Sequence, residues 1–257
     1  MSLTRQIEPD PDGYPVRGLA ATYRTGHRLD LHTHPWAQLV YAASGVMQVE
    51  TPHAAWLVPP TRAIWVPPDM PHAIEMRGTV AMRTLYLTPS DPDGRLARCR
   101  ALEVAPLLRE LILHIVRLGM LVEGNPEHER LGDLLVDLLA VDETPPLELP
   151  LPRDPRARGF AERILAEPGE DATLAALARG SGASLRTLQR HFLVETGLPL
   201  EAWRCRARMQ QGVVSLSAGA SVTAAALEAG YQSASAFIAA FKRAFGVTPS
   251  RYRALSP

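Results

Sequence analysis

The residues best suited to chemistry in this chain are three histidines and a glutamine in the N-terminal third. His32 and His34 are separated by one residue, Gln38 follows four positions later, and His72 lies further along the chain. Neutral imidazoles are ligands for Zn, Ni, Fe or Cu, whereas an amide oxygen is a weaker, uncharged ligand. These residue types predict a divalent transition-metal site with His32, His34, Gln38 and His72 as its ligands.

The spacing of these residues indicates how the chain would bring them together. Positions 32, 34 and 38 differ by even numbers, and side chains at even spacings along one continuous strand point to the same face. His72 would then reach the same site from a later strand. The alternative is a metal-free pocket in which His32, His34, Gln38 and His72 form hydrogen bonds to a small organic effector. Trp36, Gln38 and Tyr41 are the residues predicted to line this effector pocket.

A second group of polar side chains lies in the C-terminal half, on two short helical segments. Ser184 is placed to cap a helix whose buried stripe is Leu185, Leu188 and Phe192. Arginine can bond guanine through two hydrogen bonds, glutamine can bond adenine, and both can bind phosphate. The opposite face therefore predicts a DNA-reading surface formed by Ser184, Arg186, Thr187, Gln189 and Arg190.

A copy of the same pattern follows after about fifty residues. Thr173 matches Ser221 at a spacing of 48, and Phe192 matches Phe241 at a spacing of 49. Each copy has a hydroxyl residue, a short helix, a glycine turn, a second hydroxyl residue and a longer helix, which is a helix-turn-helix unit. The second copy predicts a DNA-facing surface of Gln232, Ser233, Ser235, Ala236, Ala239, Lys242 and Arg243.

The two DNA-facing surfaces differ in composition. The second has fewer hydrogen-bonding side chains, so we expect the first helix to specify sequence and the second to hold phosphate and touch apolar base edges. Residues 200–217 lie between the units, and 18 helical residues span about 27 Å. One chain could then occupy two successive major grooves of promoter DNA, which lie about 34 Å apart.

Charge and composition are consistent with these assignments. The 257 residues carry no net formal charge, yet residues 153–257 hold 14 Lys and Arg against eight Asp and Glu. A basic C-terminal part is typical of nucleic-acid binding, although random variation in surface charge would give the same count. No run of 18 apolar residues and no signal peptide occur, and the two cysteines are far apart, so we expect a cytoplasmic protein without membrane contact.

The order of segments predicts a multidomain α+β protein. Residues 1–92, the predicted sensor domain, contain short alternating runs broken by prolines, which predict a β-sandwich or a small β-barrel. Within this domain, "AQLVYAASGVMQVET" indicates two strands joined by a turn at Ser44 and Gly45. Residues 93–142 contain leucines at helical spacing. These helices either pack on the barrel or form the seam of a homodimer, and both can hold on different faces.

The remaining segments are a linker and the DNA-binding part. Residues 143–155, "ETPPLELPLPRDP", contain five prolines and predict a stiff, extended linker that does not pack. Residues 156–257 then form the tandem helix-turn-helix domain.

Two stretches of this domain resemble the AraC/XylS family of transcription regulators. They are "LAALARGSGASLRTLQRHFLVETG" and "EAGYQSASAFIAAFKRAFGVTPSRYR", and the resemblance covers roughly the last 100 residues. It implies a DNA-binding output controlled by an N-terminal sensor. The family's base-reading positions fall on Arg186, Gln189 and Arg190 and near Gln232, Ser235, Ala236 and Ala239. A polar or basic residue is common where Ala239 stands, so this departure argues against direct base reading by the second helix.

The N-terminal segment resembles the cupin family over roughly residues 20–90. The first cupin motif is matched by the spacing of Gly26, His32, His34, Gln38 and Gly45, and "PPDMPH" at 67–72 matches the second motif. Three positions depart from the family pattern, since Gln38 replaces a glutamate, Asp69 a glycine and Met76 an asparagine. The resemblance implies a barrel with an internal metal site that carries less negative charge than usual.

These observations predict a transcription regulator, not an enzyme. Its barrel would sense a small molecule or a metal, its central helices would form a homodimer, and its tandem helix-turn-helix would bind double-stranded promoter DNA. The competing hypothesis is a metal-dependent cupin oxygenase or isomerase with a DNA-binding tail. No Ser/His/Asp or Cys/His arrangement is evident in the sequence to support that alternative.

Overall fold

The computed structural model describes residues 15–88, 96–139 and 148–255. The N-terminal part of these residues is rich in antiparallel strands, and the C-terminal part is helical. The strands are β1 Val16–Tyr23, β2 Arg28–His32, β3 Ala37–Glu50, β4 Ala54–Val58, β5 Arg62–Val66, β6 His72–Leu87, β7 Arg100–Glu103, β8 Met120–Leu121 and β9 Glu148–Pro150. The helices are α1 Pro106–Leu118, α2 Pro126–Leu139, α3 Pro155–Ala166, α4 Leu174–Ala178, α5 Leu185–Thr196, α6 Leu200–Ser217, α7 Val222–Glu228, α8 Ala234–Phe245 and α9 Pro249–Leu255.

The strands form one open sheet, so the predicted closed barrel is wrong. The main path of pairing runs β7-β5-β3-β6-β1-β8, while β2 pairs with β6, and β4 pairs with both β3 and β9. The two end strands, β7 and β8, are connected in sequence by α1, which packs across the sheet between them. The edge strands β7 and β8 are not paired with each other.

The predicted turn at Ser44 and Gly45 is also wrong, because β3 continues through it as one 14-residue strand. The register between β3 and β6 shifts twice between Ala42 and Val46, which marks a β-bulge. Gly45 has φ +78, and a Cβ there would lie 2.2 Å from the carbonyl oxygen of Thr79 on β6. A glycine at this position therefore allows the strand to kink without leaving the sheet.

The two faces of β3 bury different cores. Leu39 and Tyr41 pack with α1 residues such as Ile112, in a core between the sheet and the helices. Val40 and Ala42 pack in a second core formed by the opposite face. This alternation follows from the two-residue repeat of a strand.

The segment predicted to be an unpacked linker is packed wherever it is described. Residues 143–147 lie outside the described residues, but Glu148–Pro150 form β9, which pairs with β4. Leu149 and Leu151 are buried in a core that includes Trp203 of α6. Leu149 and Leu151 alternate with prolines, so their side chains can be buried together on one face. Among the described strands, β9 pairs with β4 alone, and such an edge strand tolerates Pro150.

The helical part contains the two helix-turn-helix units that the repeat predicts. Thr173, Ser184, Ser221 and Ser233 precede α4, α5, α7 and α8, and each hydroxyl accepts a backbone N–H three residues later. These four N-caps confirm the predicted helix starts. Across the described ranges, no helix combines the length and the apolar composition that crossing a membrane requires.

Candidate metal centre and DNA-binding interface

The three histidines come together, with His72 on a later strand as predicted, but His32, His34 and Gln38 do not lie on one continuous strand. His32 is the last residue of β2, β3 starts at Ala37, and His34 lies in the segment between them. Pro35 has no N–H for strand pairing, which is consistent with the break. His72 opens β6 and is paired directly with His32 across the antiparallel β2–β6 ladder. Strand pairing, together with the intervening segment, therefore gathers the imidazoles.

The imidazoles form a compact cluster. One ring nitrogen from each of His32, His34 and His72 lies within 4.8 Å of the others. The ring centres of His32 and His72 are 4.3 Å apart, and those of His34 and His72 are 5.0 Å apart. His72 is fully buried, whereas His32 and His34 are half-buried, so the cluster is reached from the solvent side of β2.

Backbone carbonyls set the tautomer of each histidine. The Nδ1 atoms of His32, His34 and His72 lie 2.7, 2.7 and 2.9 Å from the carbonyl oxygens of Asp30, Trp36 and Met70, respectively. A carbonyl oxygen only accepts, so each Nδ1 carries the proton and each Nε2 of a neutral ring presents a lone pair. This arrangement is typical of metal-ligating histidines.

The side chain of Gln38 is oriented by two residues that the sequence analysis did not identify. Thr84 donates its hydroxyl proton to the Leu39 carbonyl, so its oxygen accepts from Gln38 Nε2 at 2.9 Å. The Tyr86 hydroxyl also accepts from Gln38 Nε2, at 3.2 Å. The sequence feature that could have identified them is the spacing of two between Thr84 and Tyr86, which places both side chains on one face of β6. These contacts direct Gln38 Oε1 towards the histidines.

The result is a cluster of hydrogen-bond acceptors facing one another. Gln38 Oε1 lies 3.1 Å from Nε2 of His34 and 3.0 Å from Nε2 of His72. Two acceptors at this distance repel unless a proton or a cation lies between them. Burial lowers the pKa of His72 to about 4, which disfavours its imidazolium form at neutral pH. The donor set therefore fits a bound cation that accepts nitrogen and oxygen ligands.

The turn before His72 contains a residue in the left-handed backbone conformation. Asp69, at the position where the pattern has glycine, has φ +57. This left-handed conformation favours glycine but is tolerated by aspartate. The Asp69 N–H donates to the His34 carbonyl at 2.9 Å, so the turn helps to hold the backbone beside the cluster.

The predicted effector lining of Trp36, Gln38 and Tyr41 is not brought together. Tyr41 is fully buried on the α1 side of the sheet, on the face of β3 opposite to Gln38. The reason is the odd spacing between positions 38 and 41, which places the side chains on opposite faces. Trp36 is half-buried and lies next to the cluster through its carbonyl, which accepts from His34.

In the first helix-turn-helix unit, α5 presents its predicted DNA-facing residues to solvent. Arg186, Gln189 and Arg190 are exposed, while Leu188 and Phe192 are fully buried. Ser184 is also exposed, and its hydroxyl bonds the backbone N–H and the hydroxyl of the half-buried Thr187. The helix thus separates a polar outer face from an apolar inner face.

The corresponding face of α8 is also exposed, and it is poorer in polar side chains. The exposed residues are Gln232, Ser233, Ser235, Ala236, Ala239, Lys242 and Arg243. The Ser233 hydroxyl accepts the Ala236 N–H, and Gln232 Nε2 donates to the Asp171 carboxylate at 3.2 Å. The positive charge lies in the last turn, where Lys242 and Arg243 are placed.

Helix α6 extends over residues 200–217, as predicted, and both units pack on it. Trp203 meets Phe192 of the first unit with ring centres 5.1 Å apart. At Gly212, an added Cβ would lie 2.6 Å from the Phe237 ring of the second unit, so glycine permits the close approach of α8. The two DNA-facing helices are thereby held on one shared helix.

Comparison with known proteins agrees with this architecture. Residues 177–255 match a helix-turn-helix domain family. The HTH-type transcriptional regulator NimR of Escherichia coli is 32% identical over 222 residues, which are 86% of this chain and 81% of NimR. This chain belongs to the AraC family of transcription regulators. The family assignment confirms the resemblance carried by the two helix-turn-helix stretches, and with it a regulator rather than an enzyme.

One further relative and one solved structure are similar to this AraC-family chain over different extents. The HTH-type transcriptional regulator RipA of Corynebacterium glutamicum is 34% identical over 114 residues, covering 44% of this chain and 34% of RipA. The structure of ToxT from Vibrio cholerae is 9% identical, with a TM-score of 0.40, and the match covers 93% of this chain and 98% of ToxT.

Proposed function

We propose that this AraC-family regulator controls its DNA binding through a divalent transition metal held in its N-terminal domain. The observation that carries the proposal is the convergence of acceptors described above. One ring nitrogen of each histidine lies within 4.8 Å of the others, and Gln38 Oε1 lies 3.1 and 3.0 Å from Nε2 of His34 and His72. The Nδ1 atom of each histidine faces a backbone carbonyl oxygen. A bound cation would relieve the repulsion between these acceptors.

In this proposal His32, His34 and His72 hold the metal and Gln38 is a weak fourth ligand, as in a cupin-like site. Zn, Ni, Fe and Cu all suit this donor set. When bound, the metal supplies a Lewis-acidic centre with room for a small electron-rich ligand. The glutamine supplies no negative charge, so the site favours ions that bind imidazole well. Thr84 and Tyr86 keep the amide oxygen directed at the site.

On the DNA side, we propose that α5 reads base edges and that α8 contributes phosphate and apolar contacts. The exposed arginines and glutamine of α5 support the first role, and the two cations at the end of α8 support the second. Metal occupancy would affect promoter binding only to the extent that the metal has different affinities for the DNA-competent and incompetent states. The coupling is reciprocal, so DNA would alter metal affinity by the same factor.

Metal-dependent promoter affinity is the first expected result. The operator is obtained by selection from random DNA with the full chain. Its Kd is then measured by fluorescence anisotropy in chelator and in Zn(II), Ni(II), Fe(II) or Cu(II). We expect one of these ions to change Kd by about 5-fold or more. Equal Kd values in all five conditions would leave the DNA-binding role intact and would contradict metal control, favouring an organic effector in the same pocket.

We also propose a homodimer formed through α1 and α2. The support is a set of apolar side chains that these helices expose, Leu107, Leu118, Leu134 and Val136. Exposed leucines on two adjacent helices are typical of association surfaces. Sedimentation equilibrium of Leu134→Glu beside the unmodified chain tests this, because the substitution should weaken dimerisation. Monomer masses for both proteins at micromolar concentration would refute the dimer.

A further inference from the structure

A row of paired residues, with one step along β6 from His72 to Ala73, joins the histidine cluster to the helical half of the molecule. It crosses five neighbouring strands in the order β2, β6, β3, β4 and β9, a distance of about 19 Å at ~4.8 Å per step. His32 pairs with His72, and Glu50 pairs with both Ala73 and Ala55. Ala55 in turn pairs with Leu149. The row therefore begins at two of the proposed ligands and ends in β9.

The final strand of this row, β9, contacts both the sheet and the first helix-turn-helix unit. Leu149 is fully buried in the core that contains Phe192 of α5 and Trp203 of α6. The Trp203 indole N–H donates to the Pro150 carbonyl at 2.6 Å. On the sheet side, the Leu151 N–H donates to the His53 carbonyl at 2.8 Å. We call residues 148–154 the strap.

The end of the strap is tied directly to the recognition helix. Glu195, in the last turn of α5, accepts the backbone N–H groups of Arg153 and Asp154 at 2.5 and 2.9 Å. Its other carboxylate oxygen lies 2.6 Å from His191 Nδ1, one turn earlier on α5. A displacement of the strap thus acts on α5 through the two backbone groups that Glu195 holds.

We propose that the strap is the route by which occupancy of the histidine cluster alters the position or stability of α5. This rests on the proposed metal site. The physical reason is that neighbouring strands are joined by backbone hydrogen bonds. A shift of one strand therefore displaces the next, which a flexible linker between the two parts would not do. The second helix-turn-helix unit contacts the sheet through side chains, among them Val46 and Leu57. The row of backbone pairing leads to the first unit.

Hydrogen exchange of the full chain, measured with and without Zn(II) or Ni(II), tests the route without needing DNA. We expect metal to slow exchange by about 5-fold or more in residues 28–34 and 72–76, and also in residues 148–154 and 185–196. Peptides from α2, which lies outside the row, serve as the internal reference. Protection restricted to residues 28–34 and 72–76 would overturn the route while leaving the metal site standing.

Substitution of Glu195 provides the second arm. In Glu195→Ala, metal should still protect residues 72–76, while its effect on residues 185–196 should fall to that on the reference peptides. Glu195→Gln keeps an acceptor oxygen and should therefore retain most of the protection of residues 185–196. Glu167→Ala, at an exposed glutamate that ends α3, is the matched control. An undiminished effect on α5 in Glu195→Ala would overturn the role of this carboxylate in the route. Absence of protection at every peptide of the unmodified chain would instead refute the metal site, and the route with it.

Discussion

Replacing both Arg186 and Gln189 by alanine should lower affinity for the selected operator by about 2–6 kcal/mol, since each good base contact contributes about 1–3 kcal/mol. This is a loss of at least about 30-fold in Kd. Both side chains are exposed on the outer face of α5, whose inner face is held by Leu188 and Phe192. The substitution therefore removes groups that reach DNA without disturbing the core of the unit.

The comparison that makes this result specific is a charge-matched variant outside the DNA-binding domain. Arg117→Ala removes an exposed cation from α1 and should leave the operator Kd nearly unchanged. All Kd values must be measured at one salt concentration, because phosphate contacts make affinity strongly salt-dependent. Random DNA should lose less affinity than the operator in the double variant. Unchanged operator affinity would mean that α5 is not the reading helix.

The second large effect is expected at the histidine cluster, where His34→Ala should reduce metal affinity by at least about 100-fold. Loss of an outer-shell partner alone typically costs 10–100-fold, and His34 is a proposed direct ligand. Its removal also leaves Gln38 Oε1 with one imidazole partner in place of two. Elemental analysis of protein purified without an affinity tag measures the metal content, and titration calorimetry measures the affinity.

A histidine outside the cluster provides the control for this experiment. His53 is exposed in the turn between β3 and β4, and His53→Ala should keep the metal content of the unmodified chain. Gln38→Ala should weaken binding less than His34→Ala, because an amide oxygen is the weaker ligand. Metal content that is low in the unmodified chain and unaltered in His34→Ala would leave only a hydrogen-bonding pocket for an organic molecule.

The helix-turn-helix units were predictable because their determinants are local. A serine or threonine that accepts a backbone N–H three residues later fixes a helix start with no help from distant residues. Ser184 and Ser233 act in this way, and the bounds of α6 follow from the uninterrupted stretch between Pro199 and Ala218. The buried stripes follow from helical periodicity, since Leu188, Phe192, Phe237 and Phe241 are all fully buried.

The sheet was less predictable because strand partners are distant in sequence. The stretch around Gly45 has the composition of a hairpin turn, yet the approach of Thr79 from β6 makes it a bulge within one strand. Whether the sheet closes likewise depends on the pairing of its edge strands β7 and β8, which are far apart in its strand order. Leu149 pairs with β4, about 90 residues earlier in the chain, and Leu149 and Leu151 share a core with α6, about 50 residues later.

By itself, the sequence determined which side chains this protein has for chemistry. It supplied three imidazoles and an amide for a site, and a polar face on a capped helix for DNA. Only the tertiary structure decided which residues are neighbours in the site and how their hydrogen bonds are directed. Pairing of β2 with β6 places His32 beside His72, and the hydrogen bonds to Thr84 and Tyr86 orient the amide of Gln38. The direction of a hydrogen bond depends on partners that come from strands distant in sequence, and such partners cannot be identified from local sequence patterns.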